Sequence, residues 1–318
     1  MLHPSIVKPL HNLMASGVNG AKLQILIYHR VLPCKDPLQP SEPDTQEFAW
    51  QMDILARYFN VLPLEEALLA LQNDDLPPRA AAITFDDGYA DNLHLALPIL
   101  EAKGVHATIF VAPGYLDGGI MFNDRVQESL RDYNGSALDL SELGLAEPLS
   151  LHDAQSRRAA INTVINAIKY LPPAARTEAA SKIVELTGAA IPEDLMLSTA
   201  ELKTLGTANV TIGAHTMNHP ILATLDEHAA KAEIYDSKKR LEEILQKPVS
   251  LFAYPNGMPG KDYTQTQVEI VKSAGFSAAV STSTGYSSRN SNMFELNRFT
   301  PWDKTPGKFL LRLLKNYI

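Results

Sequence analysis

Asp86 and Asp87 stand side by side at the end of an apolar run, residues 81–85 (AAITF), and Gly88 follows at once. Two neighbouring carboxylates repel unless a cation offsets them. Successive residues of an extended strand point to opposite sides, so the pair can divide two roles. His215 and His219 are four residues apart, with Gly213 before them and Pro220 directly after. On a helix that spacing sets both imidazoles on one face. The flanking Gly and Pro argue instead for a loop, from which both rings can still reach one ion. Two neutral nitrogens with the Asp87 carboxylate leave coordination open to water and substrate, which is the composition of a catalytic zinc site. Non-haem iron uses the same ligand types, but those sites usually keep one His close to the carboxylate. Each pair also has a plainer reading, since Asp caps turns and helices and histidines often do no more than cap or face solvent.

The elements that must bring these residues together follow an alternating rhythm. Strand-like runs fall at residues 23–28, 60–62, 81–85, 107–111, 210–213, 249–253, 277–280 and 296–299. Helical spacing falls at 46–58, 64–71, 92–103, 227–245 and 264–274. Gly104 stands where a helix would stop. Strand–helix alternation predicts a parallel sheet with helices outside it, and about eight strands suit a closed or nearly closed barrel. The polar residues of interest sit where strands end, on the face where such barrels do chemistry. The rhythm breaks over the 98 residues 112–209. A strand–helix–strand unit needs only ~30, so a helical insertion is expected at about 114–200, as a lid, an oligomer contact or a substrate wall. The expectation is one barrel domain over 1–318 that carries this insertion.

Composition narrows the function classes. The chain has 318 residues, 45% apolar and 20% charged, enough for a sizeable core and too apolar for general disorder. A formal net charge of −8 without a basic block argues against a nucleic-acid partner. The one cysteine, Cys34, permits no intrachain disulfide and no thiolate cluster, so a metal would need His and carboxylate ligands. No apolar run approaches the ~18–20 residues that span a bilayer. Residues 1–20 carry scattered His, Pro and Asn and do not read as a secretory signal. The expected location is cytoplasmic.

Thr84-Phe85-Asp86-Asp87-Gly88 and His215-Thr216-Met217-Asn218-His219-Pro220 resemble the first and second motifs of the polysaccharide deacetylases, the NodB-homology group of carbohydrate esterase family four. The resemblance covers about residues 23–299 with the motifs in order. It implies a distorted (β/α)7 barrel, a bound zinc or similar divalent ion such as Co2+ or Ni2+, and a carbohydrate substrate from which acetyl groups are removed. Carried over by position, Asp86 resembles the catalytic base, and Asp87, His215 and His219 resemble the metal ligands. A base beside a metal-activated water and a backbone N–H for the oxyanion suit that hydrolysis.

The later motifs depart from the family pattern. Where an arginine normally holds the base, the segment reads Ala253-Tyr254-Pro255-Asn256-Gly257. Asn256 stands at the oxyanion-hole position, a role its backbone N–H could fill. The last motif becomes Leu296-Asn297-Arg298, with arginine in place of the general-acid histidine. One economical reading is that Arg298 replaces the missing arginine and orients Asp86. Arginine cannot act as an acid near neutral pH, which leaves His29, at the end of the first strand, as a possible acid or substrate contact. Asn123 and Asp124 could line the sugar site or cap a helix, and Tyr254 could stack on a sugar ring. Two other functions stay open: hydrolysis of a different non-peptide amide on the same fold, or glycan binding without turnover. Retention of Asp86 argues against the second, because a binding module needs no base.

Overall fold

The apolar runs read as strands assemble into one parallel sheet in the computed structural model, which describes residues 21–316. The expectation about residues 1–20 lies outside the described residues. The sheet has the order β1 (Leu23–Tyr28), β3 (Ala80–Phe85), β4 (Ala107–Val111), β7 (Val210–Ala214), β8 (Leu251–Ala253), β9 (Ala278–Val280). β2 (Asn60–Val61) pairs with the start of β3, and every pairing in this sheet is parallel. The expected distorted (β/α)7 barrel is therefore the fold, built as a curled parallel sheet.

Strand alternation divides the core. Leu23 and Ile25 of β1, Ala80 and Ala82 of β3, Phe110 of β4 and Val280 of β9 share one cluster. That cluster is closed off by Leu64, Ala67, Leu68 and Leu71 of α2 (Leu64–Gln72). Gly213 makes room for Phe110, whose ring a Cβ there would meet at 2.4 Å. The other strand faces, among them Leu26, Ile83, Ile109 and Ile212, pack against helices that include α1 (Thr45–Tyr58) and α9 (Gln265–Ser273). α8 (Glu227–Leu245) shows why such a segment is a helix. Asp226 caps its start by accepting from the Ala229 N–H, and Ala230, Ile234, Leu241 and Ile244 form its buried stripe.

Two expectations change on contact with the structure. Residues 92–103 are not one regular helix. A π-helical turn, Asn92–Ala96, precedes α3 (Leu97–Lys103). Pro98 has no N–H to donate, and the ladder widens so that the Leu97 N–H reaches the Asn92 carbonyl. Residues 296–299 are not a regular strand either. Leu296 bridges Val280 of β9, and Phe299 bridges Leu26 of β1. The segment changes partner halfway, crossing from one sheet edge to the other, so it pairs too briefly with either.

Sequence periodicity did not identify α7 (Thr199–Leu205) or α10 (Pro306–Lys315). Between β4 and β7 lie α4 (Phe122–Arg131), a hairpin of β5 (Ala137–Leu138) and β6 (Leu149–Ser150), α5 (Ala154–Ile168) and α6 (Pro173–Thr187). These pack around a cluster of their own that includes Val126, Leu130, Ile161, Val164, Ala180 and Ile183. Among the described residues no helix is long and apolar enough to cross a membrane.

Candidate active site

The carboxyl ends of the parallel strands deliver the polar residues to one place. Asp86 directly follows β3, and its N–H donates to the Tyr28 carbonyl at 3.0 Å and so continues the ladder. The chain then turns sharply. Asp87 has φ +78° and Gly88 φ +89°. A Cβ at Gly88 would meet Val111 Cγ1 at 2.9 Å. The small residue thus lets the turn lie against β4 and swings Asp87 away from the strand direction. His215 follows β7, and its N–H donates to the Val111 carbonyl at 3.0 Å. Thr216 and His219 also have positive φ, +61° and +48°. Left-handed backbone at non-glycine residues is costly and gathers at functional sites, and here it bends His219 back toward His215.

Asp87, His215 and His219 offer three donor atoms that all lie within 4.8 Å of one another. Asp87 Oδ1 is 3.4 Å from Nε2 of each histidine. A tetrahedral ion with ligand bonds of ~2.0–2.1 Å separates its ligands by about 3.3 Å, so these two separations fit one ion. Asp87 Oδ1 is buried without a hydrogen-bond partner, a costly state for a carboxylate oxygen unless a cation serves it. Nδ1 of His215 lies 2.7 Å from the Ala253 carbonyl. A carbonyl only accepts, so Nδ1 carries the proton and the Nε2 lone pair faces Asp87. This is how metal-binding histidines are oriented. Burial pushes His219 down to about 3, leaving a neutral, ligand-competent ring. Burial works against charge on His215 too, but Asp86 and Asp87 outweigh it and raise its pKa. Burial likewise opposes charge on Asp87, yet the imidazoles hold it well below the usual carboxylate range. The donor set fits a divalent cation.

Arg298 is 1% exposed and reaches Asp86 through two parallel bonds of 2.7 Å, Nη1 to Oδ1 and Nη2 to Oδ2. Nε donates to the Ser281 carbonyl at 2.7 Å, which fixes the guanidinium plane. The partner that the Ala253 segment lacks is thus supplied from residues 296–299. Burial raises the Asp86 pKa, but Arg298, with His215 and His29, more than offsets it and the net direction is down.

A cavity of about 690 Å³ opens over these groups, lined by His29, Asp86, Asp87, His215, His219 and Asn256. Asn256 has φ +58°, and its carbonyl accepts from Thr282 Oγ1 at 2.7 Å. Asn123 and Asp124, at the start of α4, and Arg158, Asn162 and Lys169, on and just after α5, form the far wall. A second cavity of about 650 Å³ lies within the segment between β4 and β7, lined by Glu142, Ile168 and Lys182 and not by Asp86 or Asp87.

Tyr254 needs correction. It is 0% exposed, lines no part of the cavity and stacks on Tyr263 at 3.7 Å between ring centroids. Alternation along the end of β8 puts the Ala253 side chain in the cluster with Phe110 and turns the next one into the helix-facing core, so Tyr254 cannot touch a substrate.

Sequence reading missed Tyr89 and Arg30, although each lies next to a motif or a singled-out residue. The Tyr89 hydroxyl donates to Asp124 at 3.0 Å, and the Arg30 guanidinium sits 4.7 Å over the Tyr89 ring while its Nε donates to Asp91 at 2.8 Å. Burial pushes Asp124 up to about 7, Asp87 adds to the rise, and Arg30 and the Tyr89 hydroxyl only partly counter it. Folded Asp124 thus keeps its proton to about pH 7, whereas an unfolded Asp releases it near ~4. Stability falls as pH rises through that window. In chelator-treated protein, Asp124→Asn should flatten the decline of Tm over this range. An equally steep decline in the variant would count against a proton-holding Asp124.

The sequence pattern described as polysaccharide deacetylase matches residues 73–136 and 174–279, together more than half of the chain. YxkH of Bacillus subtilis (strain 168), provisionally named a polysaccharide deacetylase, is 22% identical over 278 residues, 87% of this chain and 71% of YxkH. The Streptococcus pyogenes deacetylase PplD in complex with acetate superposes with a TM-score of 0.61 at 21% identity, covering 93% of this chain and 99% of PplD. IcaB from Ammonifex degensii gives 0.59 at 19% identity, covering 94% and 99%. At these identities the superpositions bear on the fold.

Proposed function

Because the chain belongs to the polysaccharide deacetylase family, we propose that it removes acetyl groups from the N-acetylated sugars of a polysaccharide or glycan precursor, with a divalent cation held by Asp87, His215 and His219. The observation that carries this reading is the convergence of three donor atoms beside a carboxylate, Asp86, that Arg298 keeps ionised. Zn2+ suits a neutral-imidazole and carboxylate set, and Co2+ or Ni2+ can take its place. Bound there, such a cation supplies Lewis acidity, polarising the acyl carbonyl and lowering the pKa of a water molecule.

The remaining work falls to this chain's own side chains. Asp86 takes the proton of the attacking water at the Oδ2 edge, which lies 3.9 Å from His215 Nε2. Its pairing with Arg298 keeps it a carboxylate at neutral pH and fixes the direction of its lone pairs. The Asn256 backbone N–H, at the carboxyl end of β8, donates to the carbonyl oxygen as charge develops on it. His29 faces the same cavity and gives its proton to the departing sugar nitrogen. Asn123 and Asp124 hold sugar hydroxyls on the far wall, and the insertion at about 114–200 supplies that wall within a single barrel domain. Hydrolysis of another non-peptide amide would use the same groups. Glycan binding alone would leave a buried, cation-paired Asp86 without a task.

Acetate release from N-acetylated oligosaccharides, measured in a sample whose metal content is determined alongside, tests the proposal. Release that stops with a chelator and returns with Zn2+ is the expected result. No acetate with Zn2+, Co2+ or Ni2+ would overturn it.

A further inference from the structure

A smaller cavity of about 230 Å³ lies beside Phe122, the residue it shares with the catalytic cavity, and is lined by Gly114, Tyr115, Gly119, Arg125, Arg176 and Thr177. Its lining holds two cations and no carboxylate, and the one opposite charge that acts on Arg176 is that of Glu233, outside the lining. Arg176 is 4% exposed, and its Nε is buried without a hydrogen-bond partner. Its guanidinium lies 4.4 Å over the Phe122 ring, and Nη2 is 3.5 Å from the His219 carbonyl, at the limit of a hydrogen bond. Arg125 is half-buried, and neither arginine forms an ion pair among the described residues. Nearby acceptors and hydroxyls are already engaged. Glu233 takes both its bonds from Asn218, at 2.7 and 2.8 Å, the Tyr115 hydroxyl donates to the Asn218 carbonyl, and Thr177 Oγ1 donates to the Pro173 carbonyl.

The walls are tight. The Gly114 N–H donates to the Met217 carbonyl at 2.8 Å, and a Cβ at Gly114 or Gly119 would run into backbone at about 2.5 Å. The cavity is therefore fixed against the loop that carries His219. A buried guanidinium with no ion-paired anion is unfavourable, and two planar forks lining one small space suit a tetrahedral oxyanion through bidentate bonds.

We propose that the Arg125–Arg176 cavity binds a phosphate group, either the free ion or a phosphomonoester, at a site separate from the metal-ligand cluster. The dianion neutralises both guanidinium groups and satisfies the orphaned Nε of Arg176. The site does not depend on the deacetylase reading.

Isothermal titration of inorganic phosphate into the metal-containing protein at constant ionic strength tests it, with a hexose phosphate as a second arm. Binding should weaken about tenfold or more in Arg125→Gln, as expected for loss of a charge-assisted pair, and should survive in His215→Ala. Tighter binding of the hexose phosphate identifies a phosphomonoester, and equal affinity identifies the free ion. Arg176→Lys, which keeps the charge but loses the fork, should also bind more weakly. No binding to the folded wild type, equal affinity in Arg125→Gln, or loss in His215→Ala alone would overturn the proposal, the last because it assigns the phosphate to the metal centre.

Discussion

Exchanging Asp86 for Asn should lower kcat by about a hundredfold to ten-thousandfold, the range that a general base supplies, while the metal content stays that of the wild type. The amide keeps the size of the carboxylate and can still accept one bond from Arg298, but it cannot take a proton from water. Metal retention is expected because Asp87, His215 and His219 form the donor set without it. The variant leaves the Arg298 charge buried and half-paired, so its Tm should fall as well. Metal analysis and kcat on the same preparation check the result. Wild-type turnover would remove Asp86 from the reaction, and loss of metal would make it a ligand.

Exchanging Arg298 for Ala should cost about 3–5 kcal/mol of stability, the penalty for leaving a buried charge without its partner, and lower Tm on the order of 10 °C. It should also change the pH dependence. Burial by itself raises the Asp86 pKa, and Arg298 together with His215 and His29 outweighs it. A carboxylate with a depressed pKa adds stability above its unfolded value and loses it as pH falls through the folded one. Without Arg298 only the upward push of burial and the weaker help of the histidines remain. The acid limb of kcat/KM should then move to higher pH. Arg298→Lys should restore part of the stability and little of the profile, because an ammonium cannot make both parallel bonds. An unchanged Tm with an unchanged acid limb would show that the pair does neither job.

The parts of this site carried by local sequence are legible in the chain itself. Asp86, Asp87, His215 and His219 sit at strand ends in short motifs, and strand runs such as 23–28 and 107–111 match the observed bounds. Arg298 is legible only against the family pattern, which expects an arginine where this chain has Ala253. Tyr254 misleads because an aromatic next to a motif residue looks available, and which way it turns depends on the alternation of one short strand. Residues 296–299 mislead in another way. Their apolar pattern suits a strand, but pairing is a property of two neighbours, and these residues divide theirs. Tyr89, Arg30 and Arg176 carry no local signature, because their importance comes from partners brought close by the fold.

The crossing at residues 296–299 links completion of the barrel to completion of its candidate site. Asp86 and Arg298 are 212 positions apart, and the guanidinium arrives on the same four residues that tie β9 to β1. Contacts of such separation form late, since a long loop must close first. During synthesis Asp86 is made early and waits without its cation until nearly the whole chain has emerged. Arg298 is needed only once closure takes Asp86 out of water, since burial is what raises its pKa, and the same step that creates the need delivers the guanidinium.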